Sequence, residues 1–518
     1  MKNNSAIKIT ALILTAGLLL SLSACAGSDE APASAFFDGY STYAEKYEMP
    51  EHNTEEYSYI EENAFKSVKT QPFSTFAADV DTASYANLRR MIISGEQPPA
   101  DAVRIEEMIN YFSYDYPQPQ NGEPFSVTTE LAPCPWNDET ELLLIGLQAE
   151  KPDTESLPAS NLVFLIDVSG SMSSPDKLPL VKRAFLLLLE NLSAEDRISI
   201  VTYASSDAVL IDGADMERKT EIMTAIEDLS AGGSTHGSKG IETAYSLAEK
   251  HFIEGGNNRV ILATDGDLNV GVTSEGELTR LIREKRESGV YLSVMGFGTG
   301  NIKDNKMEAL ADNGNGNYSY IDTIDEARKV LVEEIGGTLF AVAKDVKLQV
   351  EFNPAIVKGY RLIGYENRIM DAEDFADDTK DGGEIGAGHR VTALYEIARV
   401  DSAYEIPEVE SRYAQARSDA GEQSPNENEW LTVNIRYKEP DGSESKLLTY
   451  PVDDSAYSDS MSENMSFAAG VAQFGMLLRE SDYLGSTELE DVIARLKSLP
   501  CVSDDEYKEE FVYIMGKA

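Results

Sequence analysis

A carboxylate and two hydroxyls follow an apolar run in the first half of this 518-residue chain. Asp167, Ser169 and Ser171 stand two residues apart, directly after the five apolar residues 162–166 (LVFLI). Carboxylate and hydroxyl oxygens are hard ligands of the kind that Mg²⁺, Ca²⁺ or Mn²⁺ accept in proteins. The pattern therefore predicts a buried strand that ends in a cation site.

The apolar run and the residues after it predict the elements that hold these side chains. Five apolar residues without alternation are typical of a strand that is covered on both faces, as in a parallel α/β sheet. The spacing of apolar residues over 178–188 predicts a helix next, with Ser173 and Ser174 as candidate caps. Because ligands bind at the carboxyl ends of strands in open α/β sheets, Asp167 lies where such a fold places its chemistry.

Strand and helix signals alternate from residue 161 to residue 339. The predicted strands cover residues 197–203, 259–263 and 291–296, and the predicted helices cover 217–229, 238–252, 275–287 and 325–339. Alternation of this kind over this length indicates an α/β fold with a doubly wound, mainly parallel sheet. We assign residues 155–341 to this unit.

Two further polar stretches fall at the predicted carboxyl edge of the same sheet. Residues 232–235 (GGST), which end in Thr235, precede a predicted helix, and Asp265 follows the predicted strand at 259–263. Side chains of these types at strand ends most often cap the next helix. Three such loops at one sheet edge, all with matching chemistry, favour a shared site over three separate caps.

The chain has β patterns on both sides of this unit. After Lys344 the apolar residues alternate with period two in several segments, and strands are also predicted at 125–131 and 142–147, ahead of the unit. Chain termini of a domain often lie close together, so we predict that the doubly wound unit is flanked by or nested in an antiparallel β domain. The other predicted regions are an accessory segment with helices and strands at 72–150, the β-rich region at 342–455 and a helical segment at 456–518.

The first 24 residues have the features of a bacterial lipoprotein signal peptide. Lys2 and Lys8 precede an apolar run that is too short for a comfortable membrane span, and Leu-Ser-Ala stands directly before Cys25. We expect a mature protein that begins at a diacylated Cys25 and is held on the outer face of a membrane, with an uncleaved anchor as the alternative. Residues 25–71 lack a sustained period and are predicted to be a tether.

The charge of the chain limits its partners. The formal charge is −46, and loss of the two signal-peptide lysines changes it to −48. Such acidity argues against nucleic acid and against an anionic membrane face as partners.

The chain has few cysteines. Cys134 and Cys501 are the only ones beyond Cys25, too few for a disulfide-built scaffold. Export permits a disulfide between Cys134 and Cys501, and the sequence leaves open whether they pair or remain unpaired buried thiols.

Three long motifs resemble a known family. Residues 73–90 (FSTFAADVDTASYANLRR), 103–112 (VRIEEMINYF) and 132–137 (APCPWN) are similar to the N-terminal segment of a family of bacterial von Willebrand factor type A (VWA) lipoproteins. The resemblance runs from about Asn53 to the C-terminal region. It implies a VWA fold with the metal-ion-dependent adhesion site of that fold.

By this resemblance, five side chains match the metal-coordinating set of VWA domains: Asp167, Ser169, Ser171, Thr235 and Asp265. Three neutral hydroxyls and two carboxylates would leave a cation electron-poor, so one coordination position stays attractive to an incoming carboxylate. The expected cofactor is Mg²⁺, with Ca²⁺ or Mn²⁺ as alternatives. The expected partner is a protein that offers an Asp or Glu side chain.

We therefore expect a membrane-anchored, extracytoplasmic VWA protein that binds a partner through a divalent cation and is not an enzyme. The first alternative is a scaffold of an envelope complex that needs no metal. The second, ranked lower, is a metallohydrolase. The sequence contains neither His-Glu-x-x-His nor Gly-x-Ser-x-Gly, and no base or nucleophile stands near the metal set in a recognisable pattern.

Replacement of the predicted lipidated cysteine tests the anchor. Because Cys25→Ser removes the acceptor thiol, we expect the variant to leave the membrane fraction or to accumulate as an unprocessed precursor. Membrane fractionation and the mass of the N-terminal peptide measure both outcomes. A correctly cleaved variant that stays in the membrane fraction would show that Cys25 is not the anchor.

Overall fold

The structure is a computed structural model, and it describes residues 53–78, 81–151, 158–233, 238–266, 275–406, 428–440 and 442–518. Cys25, the predicted signal peptide and residues 25–52 of the predicted tether lie outside this part of the chain. Within the described ranges, no helix is both long enough and apolar enough to span a bilayer.

The described residues form one mainly parallel sheet, two antiparallel sheets and the helices around them. The strands are, in chain order, β1 (Lys66–Ser67), β2 (Phe73–Ala77), β3 (Phe125–Pro133), β4 (Glu141–Ala149), β5 (Ser160–Asp167), β6 (Arg197–Tyr203), β7 (Asp207–Asp215), β8 (Asn257–Thr264), β9 (Tyr291–Phe297), β10 (Tyr318–Ile321), β11 (Ala341–Phe352), β12 (Val357–Ile363), β13 (Ile369–Met370), β14 (Gly383–Gly386), β15 (Arg390–Arg399), β16 (Glu429–Lys438) and β17 (Ser445–Asp453). The α-helices are α1 (Ala83–Ser94), α2 (Ile105–Asn110), α3 (Leu178–Glu190), α4 (Lys219–Glu227), α5 (Ser238–Lys250), α6 (Glu275–Arg286), α7 (Asp304–Asn313), α8 (Ile324–Arg328), α9 (Ile335–Leu339), α10 (Glu463–Leu478), α11 (Leu489–Lys497), α12 (Pro500–Ser503) and α13 (Glu506–Met515). A π-helical turn, Lys329–Glu333, joins α8 to α9.

Strand β5 is central in a six-stranded sheet with the order β10-β9-β8-β5-β6-β7. It pairs in parallel with β6 on one edge and with β8 on the other, and all of its residues are buried. Leu162, Phe164 and Ile166 enter an apolar core shared with α3, while Val163 and Leu165 enter the core on the opposite face, shared with α5. Helices therefore cover both faces, and the predicted doubly wound, mainly parallel sheet is confirmed.

Three elements of this unit, β7, α7 and β10, were not predicted from the sequence. β7 pairs antiparallel with β6 at the edge of the sheet, and its Val209 and Leu210 are exposed, so it lacks the continuous burial of β5. It follows β6 after a short turn, and only antiparallel strands can be joined so tightly. The apolar patterns of α7 and β10 are too short for periodicity to separate them from loops.

The two antiparallel sheets pack face to face as a β-sandwich. Their strand orders are β1-β12-β15-β4-β3 and β13-β2-β11-β16-β17, with β14 paired to β11. Leu143 and Ile145 of the first sheet share a core with Leu348 and Val350 of the second. Strand β4 precedes the doubly wound unit and β15 follows it, yet β4 and β15 are paired neighbours. The unit is therefore nested in the sandwich.

Residues 53–71 belong to the folded body, which corrects the predicted tether on its C-terminal side. The Thr54 and Glu56 amides donate to the carbonyls of Gly300 and Ile302, both at 2.9 Å. Strand β1 lies within this segment and pairs with β12. These contacts are hydrogen bonds between backbone groups, which every residue except proline can donate. They therefore leave no periodic pattern of side chains in the sequence.

Two buried arginines join the accessory helices to the doubly wound unit. Arg89 lies in α1 and Arg104 directly precedes α2. Their carboxylate partners within that unit come from α7, α8 and the loop between β10 and α8; these pairs are Arg89–Asp322, Arg89–Glu326, Arg104–Asp304 and Arg104–Glu308. Removing one partner of a buried pair leaves an uncompensated charge, so these contacts fix how the helices dock.

Cys134 and Cys501 are both free thiols in the structure. Cys134 is buried in the core that α1, α2 and the C-terminal helices share, and Cys501 of α12 packs against the same core. Burial raises the pKa of both thiols. The structure thus has the two thiols unpaired, and a disulfide between them after export stays a prediction.

A buried ion pair links neighbouring strands of the first sandwich sheet and gives a stability test. Arg361 of β12 donates to Glu396 of β15 at 2.9 Å, and both side chains are 1% exposed. We expect Arg361→Met to lower the free energy of unfolding by about 3–5 kcal/mol, because Glu396 would stay buried without its cation. Urea unfolding followed by tryptophan fluorescence measures the change.

The exposed pair Arg218–Glu221 provides the control for this measurement. Exposed ion pairs add little to stability, so Arg218→Met should leave the urea midpoint where it is. An Arg361→Met protein as stable as wild type would contradict the expected role of the buried pair.

Candidate metal centre

Asp167 is the last residue of β5, at the carboxyl edge of the parallel sheet. It lies opposite Tyr203 of β6 in the strand register, and the Val168 amide donates to the Tyr203 carbonyl at 3.0 Å. Asp167 has no solvent exposure. The neighbouring strands therefore fix this carboxylate at the point where the buried apolar run ends.

Ser169 and Ser171 follow Asp167 in a tight turn. The 3₁₀ turn Gly170–Ser173 places the Ser169 and Ser171 hydroxyl oxygens 2.9 Å from each other. The Ser169 amide donates to Asp167 Oδ1 at 2.8 Å. The structure thus brings the three side chains of the first predicted loop into one cluster.

The glycine-rich second loop reaches the same edge through its backbone. The Gly232 amide donates to the Val168 carbonyl at 2.8 Å, and the Gly170 amide donates to the Gly233 carbonyl at 3.0 Å. Thr235 follows two residues later and lies outside the described residues, so its place in the metal set stays a prediction.

Asp265 directly follows β8 and is 1% exposed. The next residue, Gly266, has a φ of +96°, and a Cβ at this position would lie 2.7 Å from the Lys303 amide nitrogen, so the turn after Asp265 requires glycine. The Thr264 hydroxyl lies 3.5 Å from Asp167 Oδ2. The third predicted loop therefore meets the first at the same edge of the sheet.

Lys177 is a site residue that the sequence did not reveal. Its ammonium group donates to Asp265 Oδ2 at 2.9 Å, and its side chain is 8% exposed. The predicted caps Ser173 and Ser174 are wrong, because α3 begins at Leu178 and Lys177 occupies the position before it. A single lysine ahead of a helix carries no sequence signal, and only the fold brings it to the end of β8.

The electrostatic state of Asp167 is unusual for an aspartate. Burial raises its pKa to about 6; the negative charge of Asp265 adds to the shift, and the hydrogen bond from the Ser169 amide opposes it. Lys177 pairs with Asp265 and not with Asp167. Asp167 is therefore a buried carboxylate whose negative charge is stabilised by neutral hydrogen-bond donors.

The chemistry of these residues fits a hard divalent cation. Asp167 supplies an anionic oxygen that Lys177 does not neutralise, and Ser169 and Ser171 supply neutral oxygens beside it. Oxygen ligands of these types suit Mg²⁺, Ca²⁺ or Mn²⁺. Among the described residues, no cluster of three or more His, Cys, Asp and Glu side chains could hold a metal, and the candidate site depends instead on hydroxyls and two carboxylates.

Three segments of the chain match known protein families. Residues 51–144 match the family described as von Willebrand factor, and residues 161–333 match the von Willebrand factor type A domain. Residues 337–518 match the C-terminal region of the uncharacterized protein YfbK. VWA domains in general take part in protein–protein interactions and often bind divalent cations.

Individual proteins and a solved structure are also similar to this chain. The chain is 43% identical to the uncharacterized protein YfbK of Escherichia coli (strain K12) over 472 residues, which are 90% of this chain and 81% of that protein. It is 28% identical to the uncharacterized protein sll0103 of Synechocystis sp. over 188 residues, 36% of this chain and 43% of that protein. A solved structure, von Willebrand factor type A from Catenulispora acidiphila, is similar with 14% identity and a TM-score of 0.41, over 78% of this chain and 91% of that one.

The raised pKa of Asp167 predicts how the stability of metal-free protein depends on pH. The folded pKa of about 6 exceeds the ordinary 3.8, so the folded state takes up this proton at a higher pH than the unfolded chain. The ionised carboxylate therefore lowers stability above about pH 6, and this effect declines as the pH falls through 6 towards about 4. In chelator, we expect Asp167→Asn to be more stable than wild type by about 2–3 kcal/mol at pH 7, and the difference to vanish near pH 4.

Thermal unfolding in chelator at both pH values measures this difference. Asp325→Asn is the matched control, because Asp325 is 73% exposed and the same substitution there should change stability little at either pH. An Asp167→Asn protein that is less stable than wild type at pH 7 would contradict the expectation.

Proposed function

Because the chain belongs to the family of the uncharacterized protein YfbK and carries a VWA domain, we propose that it is a non-enzymatic protein that captures a protein partner through a divalent cation. The proposed ligands are the side chains of Asp167, Ser169, Ser171, Thr235 and Asp265. Mg²⁺ is the preferred cofactor, since carboxylate, hydroxyl and water oxygens are the ligands it selects, and Ca²⁺ and Mn²⁺ are alternatives.

Asp167 supports this proposal most directly. Its carboxylate is fully buried and its pKa is raised to about 6, while two hydroxyl oxygens, those of Ser169 and Ser171, lie together in the turn that follows it. Burying a carboxylate without a compensating cation is unfavourable. A site of this composition therefore favours a bound divalent cation over remaining metal-free.

The chemistry of the site also indicates what kind of group the partner offers. When bound, the cation supplies a Lewis-acid attraction for a carboxylate. The ligand set contains only two carboxylates, and Lys177 already neutralises one of them, Asp265, so the loaded site attracts an Asp or Glu side chain of the partner. The charge of the whole chain opposes this attraction, because a formal charge of −46 repels acidic groups at long range.

We place this binding activity outside the cytoplasm. A lipid on Cys25 would hold the protein on the outer face of a membrane. Residues 25–52 would then serve as the tether, since residues 53–71 pack on the folded body.

A metal-independent scaffold of an envelope complex is the second candidate. Lys177 is the observation that favours it, because an ammonium group 2.9 Å from Asp265 Oδ2 supplies positive charge to the site without any metal. A scaffold of this kind would keep its partner in the presence of a chelator, which separates it from the first proposal.

Metal-dependent capture tests the proposed function. Mature protein immobilised through its C-terminus would be exposed to envelope extract in Mg²⁺ and in chelator, and captured proteins would be identified by mass spectrometry. With the captured partner, surface plasmon resonance should then show binding in Mg²⁺ that is abolished by chelator or by Asp167→Ala. Asp325→Ala, at the exposed position used above, should bind like wild type.

Ionic strength separates the two candidates further. Monovalent salt screens exposed charges over a Debye length of about 8–10 Å, which weakens the long-range repulsion of an acidic partner more than a direct metal bond. Moderate salt should therefore leave association unchanged or speed it. Binding that persists in chelator and falls steeply with salt would contradict metal-dependent capture.

A further inference from the structure

We propose that Lys177 sets the charge of the metal centre: its ammonium group weakens metal binding and strengthens the attraction of the loaded site for a carboxylate. This role, which rests on the proposed function, makes Lys177 a positioning residue that acts through Asp265. It also predicts that loss of the ammonium charge raises the affinity of the site for the metal and lowers the affinity of the loaded site for an anion.

Lys177 reaches Asp265 along a path that the fold fixes. Its ammonium donates to Asp265 Oδ2 at 2.9 Å, with the two side chains 8% and 0% exposed. The aliphatic part of the lysine lies against Gly298, where a Cβ would come within 2.2–2.7 Å of Cγ, Cδ and Cε. Gly298 also has a φ of +77°, a conformation that favours glycine. The missing side chain at 298 therefore provides the space in which Lys177 lies.

The two carboxylates of the site have unequal surroundings. Asp265 has an ammonium partner, whereas Asp167 accepts hydrogen bonds from neutral donors, which include the Ser169 amide and the Thr264 hydroxyl. Within the described part of the chain, Asp265 has a charge partner and Asp167 has none. Asp167 would therefore be the principal anionic ligand of a divalent cation, and Asp265 would contribute more weakly.

Lys177 changes the net charge of the centre by one unit. Among the described residues of the centre, two carboxylates and one ammonium give one net negative charge, which would become one net positive charge on binding of a divalent cation. With a neutral residue at position 177, the loaded centre would have no net charge. Buried charges at such short distances interact strongly. The ammonium therefore weakens the binding of a cation and strengthens the later binding of a partner's carboxylate to the loaded site.

Mn²⁺ binding by the full mature chain tests this role. Free and bound Mn²⁺ are distinguished by electron paramagnetic resonance, and acetate serves as the minimal carboxylate. In Lys177→Met, an unbranched neutral side chain replaces the lysine against Gly298. We expect the variant to bind Mn²⁺ about tenfold more tightly than wild type, and its Mn²⁺-loaded form to bind acetate about tenfold more weakly.

Three further variants separate charge from shape and from folding. Lys177→Arg keeps the positive charge, so its Mn²⁺ affinity should stay close to that of wild type. Lys182→Met removes an equal charge from α3, the helix that follows Lys177. Lys182 donates to the Glu227 carbonyl, and its replacement should leave both affinities unchanged. If Lys177→Met does not fold, Lys177→Gln makes the same comparison, because Gln can donate a hydrogen bond to Asp265 without a charge.

The outcomes distinguish this role from the function on which it rests. Unchanged or weaker Mn²⁺ affinity in the neutral Lys177 variants would overturn the proposed role of Lys177. The proposed metal site would still be supported in that case if wild-type protein binds Mn²⁺ and Asp167→Ala abolishes this binding. Absence of Mn²⁺ binding in wild type and in every variant would overturn both. Tighter Mn²⁺ binding together with weaker acetate binding is the result that supports the proposal.

Discussion

Strand β5 has a neighbouring strand on each edge and an apolar core on each face, so its backbone and side chains are removed from water along its whole length. Each backbone polar group of such a strand must bond to a neighbour, which fixes its register against β6 and β8. Polar chemistry can begin only where the strand ends, and Asp167 is that end. Because β8 runs parallel to β5, its own end delivers Asp265 to the same edge.

The sandwich places a second constraint on the unit that contains this edge. Strand β4 of the first sandwich sheet precedes the unit and β11 of the second sheet follows it, so both chain ends of the unit are tied to the sandwich. Arg89 and Arg104 then hold the accessory helices against the unit through buried carboxylates. The VWA domain is thus fixed through both of its chain ends and through its contact with the accessory helices, while the carboxyl edge of its sheet is built from its own loops.

Charge acts on this molecule at two length scales. The formal charge of −46 creates a field that repels acidic groups and is screened by salt. Within the site, Asp167, Asp265 and Lys177 are buried, where Coulomb interactions are stronger than at the surface. One buried lysine therefore has more influence on the charge of this candidate site than any single acidic residue of the surface. This separation would allow an acidic protein to hold a site that becomes locally positive on binding of the proposed divalent cation.

The sequence by itself determined the features whose signals are strong and local. An unbroken apolar run predicted β5 and the position of Asp167 at its end, and period-two segments predicted the strands of the sandwich. The edge strand β7 was missed because it is half exposed, and residues 53–71 were mistaken for tether because backbone hydrogen bonds leave no side-chain pattern. Only the tertiary structure placed Lys177 beside Asp265, 88 residues away in sequence. That contact depends on where β8 ends, where α3 begins and the space left by Gly298, and no local pattern encodes the meeting of three separate segments.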